Sequence, residues 1–522
     1  MVQRDSGVGE SAAGTRVDGA TWAMAVCCVL AVPFYLVASR GQWFYQDEFA
    51  LLTNPAESID DLFRPHNVHL MVPARILYRI NWDLFGLTRY EPYQIWSILA
   101  HVALAAMIYS VLRRVGVGPW LAATLGVLFL AFGKGHSNIT WAFQVGFAGS
   151  VTTGYAQLLL ADHDGTNRRR DALALLAGFL AVTGSAPGQV MVGVVGLAIF
   201  LRRGWRAAAF QTLPLIAFFL IWRRLYGRPS ESASLGQIPG FVGDALFHLG
   251  ERAALHPLAA GLIVLLAVAG LVLAGRHVTP TQALRRQALP LSLAVGGLVF
   301  IVFTAYGRAH RTGADFASFD RYSHILLALL LPIVGVGLQG LVERWGRLLM
   351  PLIVVLLSAV PANLGAIEVR ENRHATAGVI MGVAQSPLLE EMHPDNRPFE
   401  SLTGKHRITV GWLLELHRSG EIPTTRIDRE TQKLVDEALA FDVAPTGGRR
   451  MFCEQWPRGE QIVLSAGESQ DFVGALRVQT ARDGEVLRPR EIRKGRPHRV
   501  TAMIDDIEVT LAADPDSDPL LC

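Results

Sequence analysis

Charge is scarce in this chain of 522 residues, where Asp, Glu, Lys and Arg together make up 18%. A soluble domain carries about a quarter, so a soluble enzyme and a disordered chain are both excluded. Cysteine is scarcer still, with four residues, which excludes a disulfide-dense secreted scaffold. No Walker loop, GxSxG elbow or CxxC pair occurs, so the chemistries those motifs carry have nothing to rest on. There is no internal repeat of the kind that marks many secondary transporters. The net charge of +3 is too small to argue for nucleic acid.

What is present is apolar. Hydrophobic residues reach 51%, mean hydropathy is +0.31, and long apolar runs recur from residue 20 to residue 365. The pattern predicts an α-helical polytopic membrane protein with about 11 transmembrane helices. The runs lie near 21–39, 94–112, 117–132, 147–161, 171–185, 188–201, 207–223, 256–275, 288–305, 324–341 and 348–365. Residues 1–20 read as a disordered cytoplasmic tail and 21–365 as the membrane domain, with a large loop at 40–93. Residues 366–522 read as an outer soluble domain of mixed α/β type that ends in a small β sandwich.

Basic clusters fall at every second connection: Arg113–Arg114, Arg168–Arg170, Arg202–Arg203, Arg285–Arg286, and Arg344 with Arg347. The positive-inside tendency places them, with the N-terminus, in the cytoplasm and the C-terminal domain outside. Only Asp171–Leu201 separates two such clusters. Gly184, Pro187 and Gly188 predict a hairpin there, its turn below the outer surface; longer helices with snorkelling arginines are the alternative.

Polar chemistry collects on the expected outer side. The 40–93 loop holds Asp47 and Glu48 soon after the first span, flanked by Trp43, Phe44, Tyr45 and Phe49, and then His66 and His69. Two short amphipathic helices, near 59–63 and 77–85, are predicted to lie on the membrane. An acidic pair so close to a span is costly unless it faces water or a ligand. The segment 133–149 contributes Trp141 and Gln144; Trp141 suits either a sugar face or the interfacial aromatic belt. Arg223 and Arg224 run against the charge trend and suit phosphate oxygens or lipid headgroups. The segment 306–324 carries Arg308, His310, Arg311, Arg321 and Tyr322, a second candidate phosphate contact. His66 and His69 have a spacing that zinc accepts, although contact with substrate is the preferred reading; no cofactor is expected, a divalent metal being the alternative. Cys453 and Cys522, both outside by the charge argument, are expected to form a disulfide.

The acidic motif after the first span, the amphipathic loop helices, the many spans and the C-terminal outer domain together resemble the GT-C superfamily of integral-membrane glycosyltransferases. Asp47-Glu48 is similar to the Asp-Glu of protein O-mannosyltransferases and aminoarabinose transferases. The topology is similar to actinobacterial arabinofuranosyl- and mannosyltransferases of cell-envelope assembly. The resemblance implies a bacterial plasma membrane, a polyprenyl-phosphate sugar donor, and a glycan, lipid or protein acceptor on the outer face. The residues agree on separate grounds: a single displacement inverts, with Asp47 as the expected base, Glu48 orienting Asp47 or the acceptor, the five arginines on the donor phosphate, and His66, His69, Trp141, Gln144, His310 and Tyr322 near substrate. A lipid-linked glycan flippase, a polysaccharide polymerase and a non-catalytic glycan-binding scaffold are the rivals.

Overall fold

The computed structural model describes residues 18–228, 232–254, 256–276, 279–311, 315–367, 371–399, 408–446, 453–456, 460–482, 485–486, 490–514 and 519–522. The expected N-terminal tail lies, up to residue 17, outside the described residues. Asp18 already belongs to the fold: its carboxylate accepts from Thr21 N at 2.8 Å and caps the first helix.

The helices follow in chain order as α1 Gly19–Ala38, α2 Asp47–Leu52, α3 Ile59–Phe63, α4 Val72–Phe85, α5 Glu91–Arg114, α6 Pro119–Leu130, α7 Ser137–Thr140, α8 Val145–Ala161, α9 Arg168–Gly184, α10 Ala186–Arg203 and α11 Trp205–Tyr226. Then come α12 Ile238–Ala253, α13 Pro257–Gly275, α14 Pro280–Arg286, α15 Ala288–Arg308, α16 Asp320–Arg344, α17 Leu349–Leu357, α18 Val360–Leu364 and α19 Glu371–Gln385. Among the described residues eight helical segments are long and apolar enough to cross a membrane, fewer than the eleven expected. All eleven apolar runs are helical, but α6 has 12 residues and α8 and α9 have 17 each. A helix rises about 1.5 Å per residue, so these three fall short of a hydrocarbon core of about 30 Å.

The spanning helices keep apolar side chains exposed on their outer faces, as at Val29, Leu220 and Leu265. In water such faces would drive association; beside lipid they are at home. Close approach inside the bundle rests on small residues. A Cβ on Gly337 of α16 would strike the backbone of Ala267 on α13, which is the packing that membrane helices favour.

The 171–201 hairpin forms, with Ser185 extended between α9 and α10. A Cβ on Gly188 would collide with the carbonyl of Ala181, so glycine sets how tightly the two helices close. The helices are longer than the apolar runs because the arginines at 168–170 and 202–203 are themselves helical.

Two shorter helices, Val410–Arg418 and Arg429–Leu439, follow α19. Residues 400–407 lie outside the described residues, and the first of these helices starts at Val410 with Thr409 as its cap. Ile380, Val383, Leu413 and Leu439 share one core with Phe44, Phe49, Tyr78, Tyr90 and Trp141 of the earlier loops. Trp82 Nε1 also donates to Glu421 at 2.6 Å. The helical part of the C-terminal region therefore roofs the loop that carries Asp47.

The last part is one connected antiparallel sheet: β1 Phe441–Pro445, β2 Glu454–Gln455, β3 Gln461–Leu464, β4 Ser469–Arg482, β5 Glu485–Val486, β6 Arg490–Ala502, β7 Glu508–Ala513 and β8 Leu520–Leu521. Its main order is β1-β6-β4-β7-β3. Where a small sandwich was expected, a single sheet curls around Phe472, Leu476, Val478, Val500 and Leu511. A register shift between Phe472 and Gly474 in β4 is the kind of bulge that bends and twists a strand. Cys453 and Cys522 are joined by a disulfide, with their Cα atoms 4.1 Å apart, and Cys27 and Cys28 of α1 are free thiols.

Candidate functional site

Asp47 opens α2, and the residue before it has an unusual backbone. Gln46 has φ 45°, and Asn67 has φ 54°; they are the non-glycine residues with positive φ among those described. Such conformations are rare in L-residues and cluster at functional sites. At residues 66–69 the chain makes a tight reversal. His66 N donates to His69 O and His69 N to His66 O, each at 2.9 Å. Residues that exchange both backbone hydrogen bonds point their side chains to one face, which is the physical content of the three-residue spacing between the two histidines.

His66 then reaches Asp47. Its Nε2 lies 3.3 Å from Asp47 Oδ1, with side-chain exposure of 10% for His66 and 31% for Asp47. A carboxylate only accepts, so His66 carries its proton on Nε2 when the pair is formed. The imidazole also packs against Phe143, ring centres 5.2 Å apart.

Glu48 points the other way and is fully buried. One oxygen accepts from the Tyr78 hydroxyl and from the Tyr90 hydroxyl at 2.9 Å; the other accepts from Tyr45 N at 2.8 Å. Tyr90 Oη in turn accepts from Ala142 N at 2.9 Å. Burial pushes the Glu48 carboxyl up to about 7 against the opposing pull of these donors. Glu48 thus ties the start of α2 to α4, α5 and the 141–145 segment and leaves Asp47 as the carboxylate that faces outward. Trp141 and Gln144 are buried as well. The Trp141 ring stands edge-on to Tyr45 at 6.0 Å and beside Phe143 at 5.4 Å, inside the same aromatic wall.

Two of the five arginines, Arg308 and Arg321, act on this place, and Arg311 stands close to Arg308. Burial comes first in holding the His69 imidazole down at about 4; the charges of Arg308, His66 and Arg321 add to it, and Asp47 opposes it. His69 is therefore a neutral imidazole at pH 7, standing among Asp47, Arg308 and Arg321. Arg321 lies over the rings of Phe319 and Tyr322 at 4.9 and 5.3 Å. Arg308 and Arg311 lie over Phe316 at 6.0 and 5.9 Å, and Arg308 reaches the Tyr322 hydroxyl. Among the described residues no carboxylate forms an ion pair with Arg308, Arg311 or Arg321. Asp315 instead faces His248 at 3.5 Å, and Asp320 faces His136 at 3.7 Å. His310 is half-buried beside Arg311.

Arg223 and Arg224 sit elsewhere. Both are exposed on the last turn of α11. That turn is fixed on α3 by Trp222 Nε1, which donates to Phe63 O at 2.8 Å, and by the Tyr226 hydroxyl, which donates to Asp60 at 2.6 Å. Neither is among the charges that act on His69. Among the described residues no group of three or more His, Cys, Asp or Glu is arranged to hold a metal ion.

Sequence reasoning missed Tyr78 and Tyr90. The usable signal was their position on the inward side of α4 and at the start of α5, where a hydroxyl needs a polar partner. It also missed Arg252 of α12, whose guanidinium donates to Ser323 Oγ at 2.8 Å and to the Ser318 carbonyl, bracing the segment that leads into α16.

No family model and no curated protein matches the chain. Solved structures do. The chain is similar to ArnT from Cupriavidus metallidurans in the apo state, at 16% identity and a TM-score of 0.41, over 81% of this chain and 78% of that one. It is also similar to the same protein bound to undecaprenyl phosphate, at 15% identity and a TM-score of 0.39, with the same coverage.

Proposed function

We propose that this chain is a membrane glycosyltransferase of the GT-C type. It moves a sugar from a polyprenyl-phosphate donor to a cell-envelope glycan, lipid or protein at the outer face of a bacterial plasma membrane. One observation carries the reading: a partly exposed carboxylate, Asp47, stands with His66 and neutral His69 beside Arg308 and Arg321, cations that pair with no described carboxylate.

The chemistry follows from those charges. A donor with its prenyl tail in lipid presents its phosphate at the interface, where Arg308, Arg311 and Arg321 bind the oxygens. His69 adds a hydrogen bond without a further positive charge. The acceptor hydroxyl attacks the anomeric carbon; the bond from that carbon to the phosphate oxygen breaks, and polyprenyl phosphate leaves with the electron pair. The acceptor proton passes to Asp47, whose other oxygen is oriented by His66. Negative charge grows on the departing phosphate, so fixed guanidiniums favour the transition state over the ground state. A single displacement without an enzyme nucleophile inverts the anomeric centre.

The test uses the purified full chain in lipid nanodiscs with a radiolabelled polyprenyl-phosphate sugar and an envelope extract as acceptor. Label transferred to the acceptor supports the reading. Movement of the lipid across a vesicle bilayer without transfer makes the protein a flippase and overturns it.

A further inference from the structure

Two histidines buried inside the bundle take no part in the mechanism above. His101 of α5 and His324 of α16 are both wholly inaccessible. His101 Nδ1 lies 2.9 Å from His324 Nε2, and His101 Nε2 lies 3.0 Å from Leu130 O. His324 Nδ1 lies 3.3 Å from Asn138 Nδ2, and that same amide donates to Arg321 O at 2.9 Å.

Only one proton assignment satisfies this chain. The Leu130 carbonyl only accepts, so His101 holds its proton on Nε2 and offers a lone pair at Nδ1. His324 must then donate from Nε2 and offers its own lone pair at Nδ1, which the Asn138 amide fills. Both rings are neutral and each ring nitrogen has a partner; donation runs from the Asn138 amide through His324 and His101 to the Leu130 carbonyl, and the amide's second hydrogen goes to the backbone carbonyl of Arg321. The other main-chain group of Arg321 is held too. Arg321 N donates to Asp320 Oδ1 at 2.9 Å, while Asp320 Oδ2 accepts from Ser137 N at 3.0 Å. Both backbone groups of Arg321 are thus tied, directly or through Asp320, to the short helix α7. Packing alone does not need this arrangement: two apolar side chains would fill the same space without a polar network in the core.

We propose that His101, His324 and Asn138 are positioning residues that set where the Arg321 guanidinium stands, and through it the affinity for the donor phosphate. The proposal rests on the reading of Arg321 as a phosphate ligand. A guanidinium displaced by a fraction of an ångström loses its paired contact with phosphate oxygens, and misplacement of about 1 Å costs about a hundredfold.

The experiment measures binding of farnesyl phosphate, a short polyprenyl phosphate, to the full chain in nanodiscs, together with donor KM and kcat. His324→Phe fills the ring volume and breaks the chain; it weakens binding by about tenfold and raises KM, with kcat little changed. His324→Asn puts an acceptor back where Nδ1 stood and restores most of the affinity. Combined with Arg321→Ala, His324→Phe adds nothing further, because both act through one guanidinium. Asn138→Ala, which leaves the histidine pair intact, serves as a second break and gives the same weakening. Wild-type binding by both breaking variants, or losses that add to that of Arg321→Ala, overturns the inference and leaves the phosphate site standing. Wild-type binding by Arg321→Ala overturns the site and the inference together.

Discussion

Two groups of arginines, at opposite ends of the helical bundle, are held in opposite ways. At the end where α5 finishes, four arginines find aspartates. Arg113 pairs with Asp18 at 3.1 Å, Arg114 and Arg202 with Asp162 at 3.3 and 3.1 Å, and Arg203 with Asp171 at 2.7 Å. At the end where α5 begins, Arg308, Arg311 and Arg321 lie on aromatic rings, and the carboxylates nearby are engaged elsewhere. Asp315 and Asp320 face histidines, and Glu48 is enclosed by tyrosines. Neutralised charge is a structural cross-link; charge held together without neutralisation is poised for an anion that comes from outside. The difference is the physical ground for placing the proposed chemistry with Arg308, Arg311 and Arg321 and a structural role with the four paired arginines.

The strongest attempt to break that assignment is Asp47→Asn. The amide keeps the shape and one acceptor but cannot take a proton. Donor binding should survive while the transfer rate falls by about a hundredfold or more. Turnover within a few-fold of wild type would falsify the role of Asp47 as base. Next is Arg321. Arg321→Ala should raise donor KM by about ten- to a hundredfold, because the fork of charge-assisted hydrogen bonds is lost. Arg321→Lys keeps the charge without the fork and should fall between. Equal KM for all three would mean that these arginines serve lipid headgroups.

Glu48→Gln sharpens the contrast between the two neighbouring carboxylates and should change turnover only a few-fold, since the side chain is sealed from substrate. Its signature is in stability. Burial raises the folded-state carboxyl to about 7 from its ordinary 4.5, so between those values the folded protein holds a proton that the unfolded chain has lost. This contribution to stability is full below about 4.5 and is lost as pH rises through about 7. Melting temperatures of wild type and Glu48→Gln should therefore diverge across that window and run parallel above it. A constant difference from pH 4.5 to 8 would show that Glu48 stays ionised.

Much of this was legible in the chain. A membrane helix is announced by composition alone, so all eleven apolar runs appear as helices. Their lengths were less legible, because a helix end is set by caps and by arginines that extend it, as at Arg168 and Arg203. The motif residues Asp47, His66 and His69 lie close together in sequence, and a two-residue reversal suffices to join them. Arg223 and Arg308 look alike in sequence and end in different places. What separates them is that Trp222 and Tyr226 anchor α11 on α3, a tertiary fact with no local signal. Tyr78 and Tyr90 were invisible for the same reason: their meeting at Glu48 depends on how α4 crosses α5.

The smallest expected effect on catalysis comes from the paired end, and it tests the comparison from the other side. Arg203 donates to both oxygens of Asp171, at 2.7 and 3.2 Å, and to the carbonyl of Ala161 at 2.8 Å; His163 approaches the same carboxylate at 3.1 Å. Arg203→Gln removes the cation and leaves Asp171 with the weaker histidine partner, in a place where both side chains are mostly shielded from water. Loss of charged hydrogen bonds of this kind costs about 2 kcal/mol, read as a lower melting temperature of the purified protein. Donor KM and kcat should stay at wild-type values below that temperature, because the change lies at the far end of α10 from the 185–188 turn. A rise in donor KM comparable to that of Arg321→Ala, in a protein still folded, would mean that the two ends are coupled and that neutralised charge does not mark architecture here.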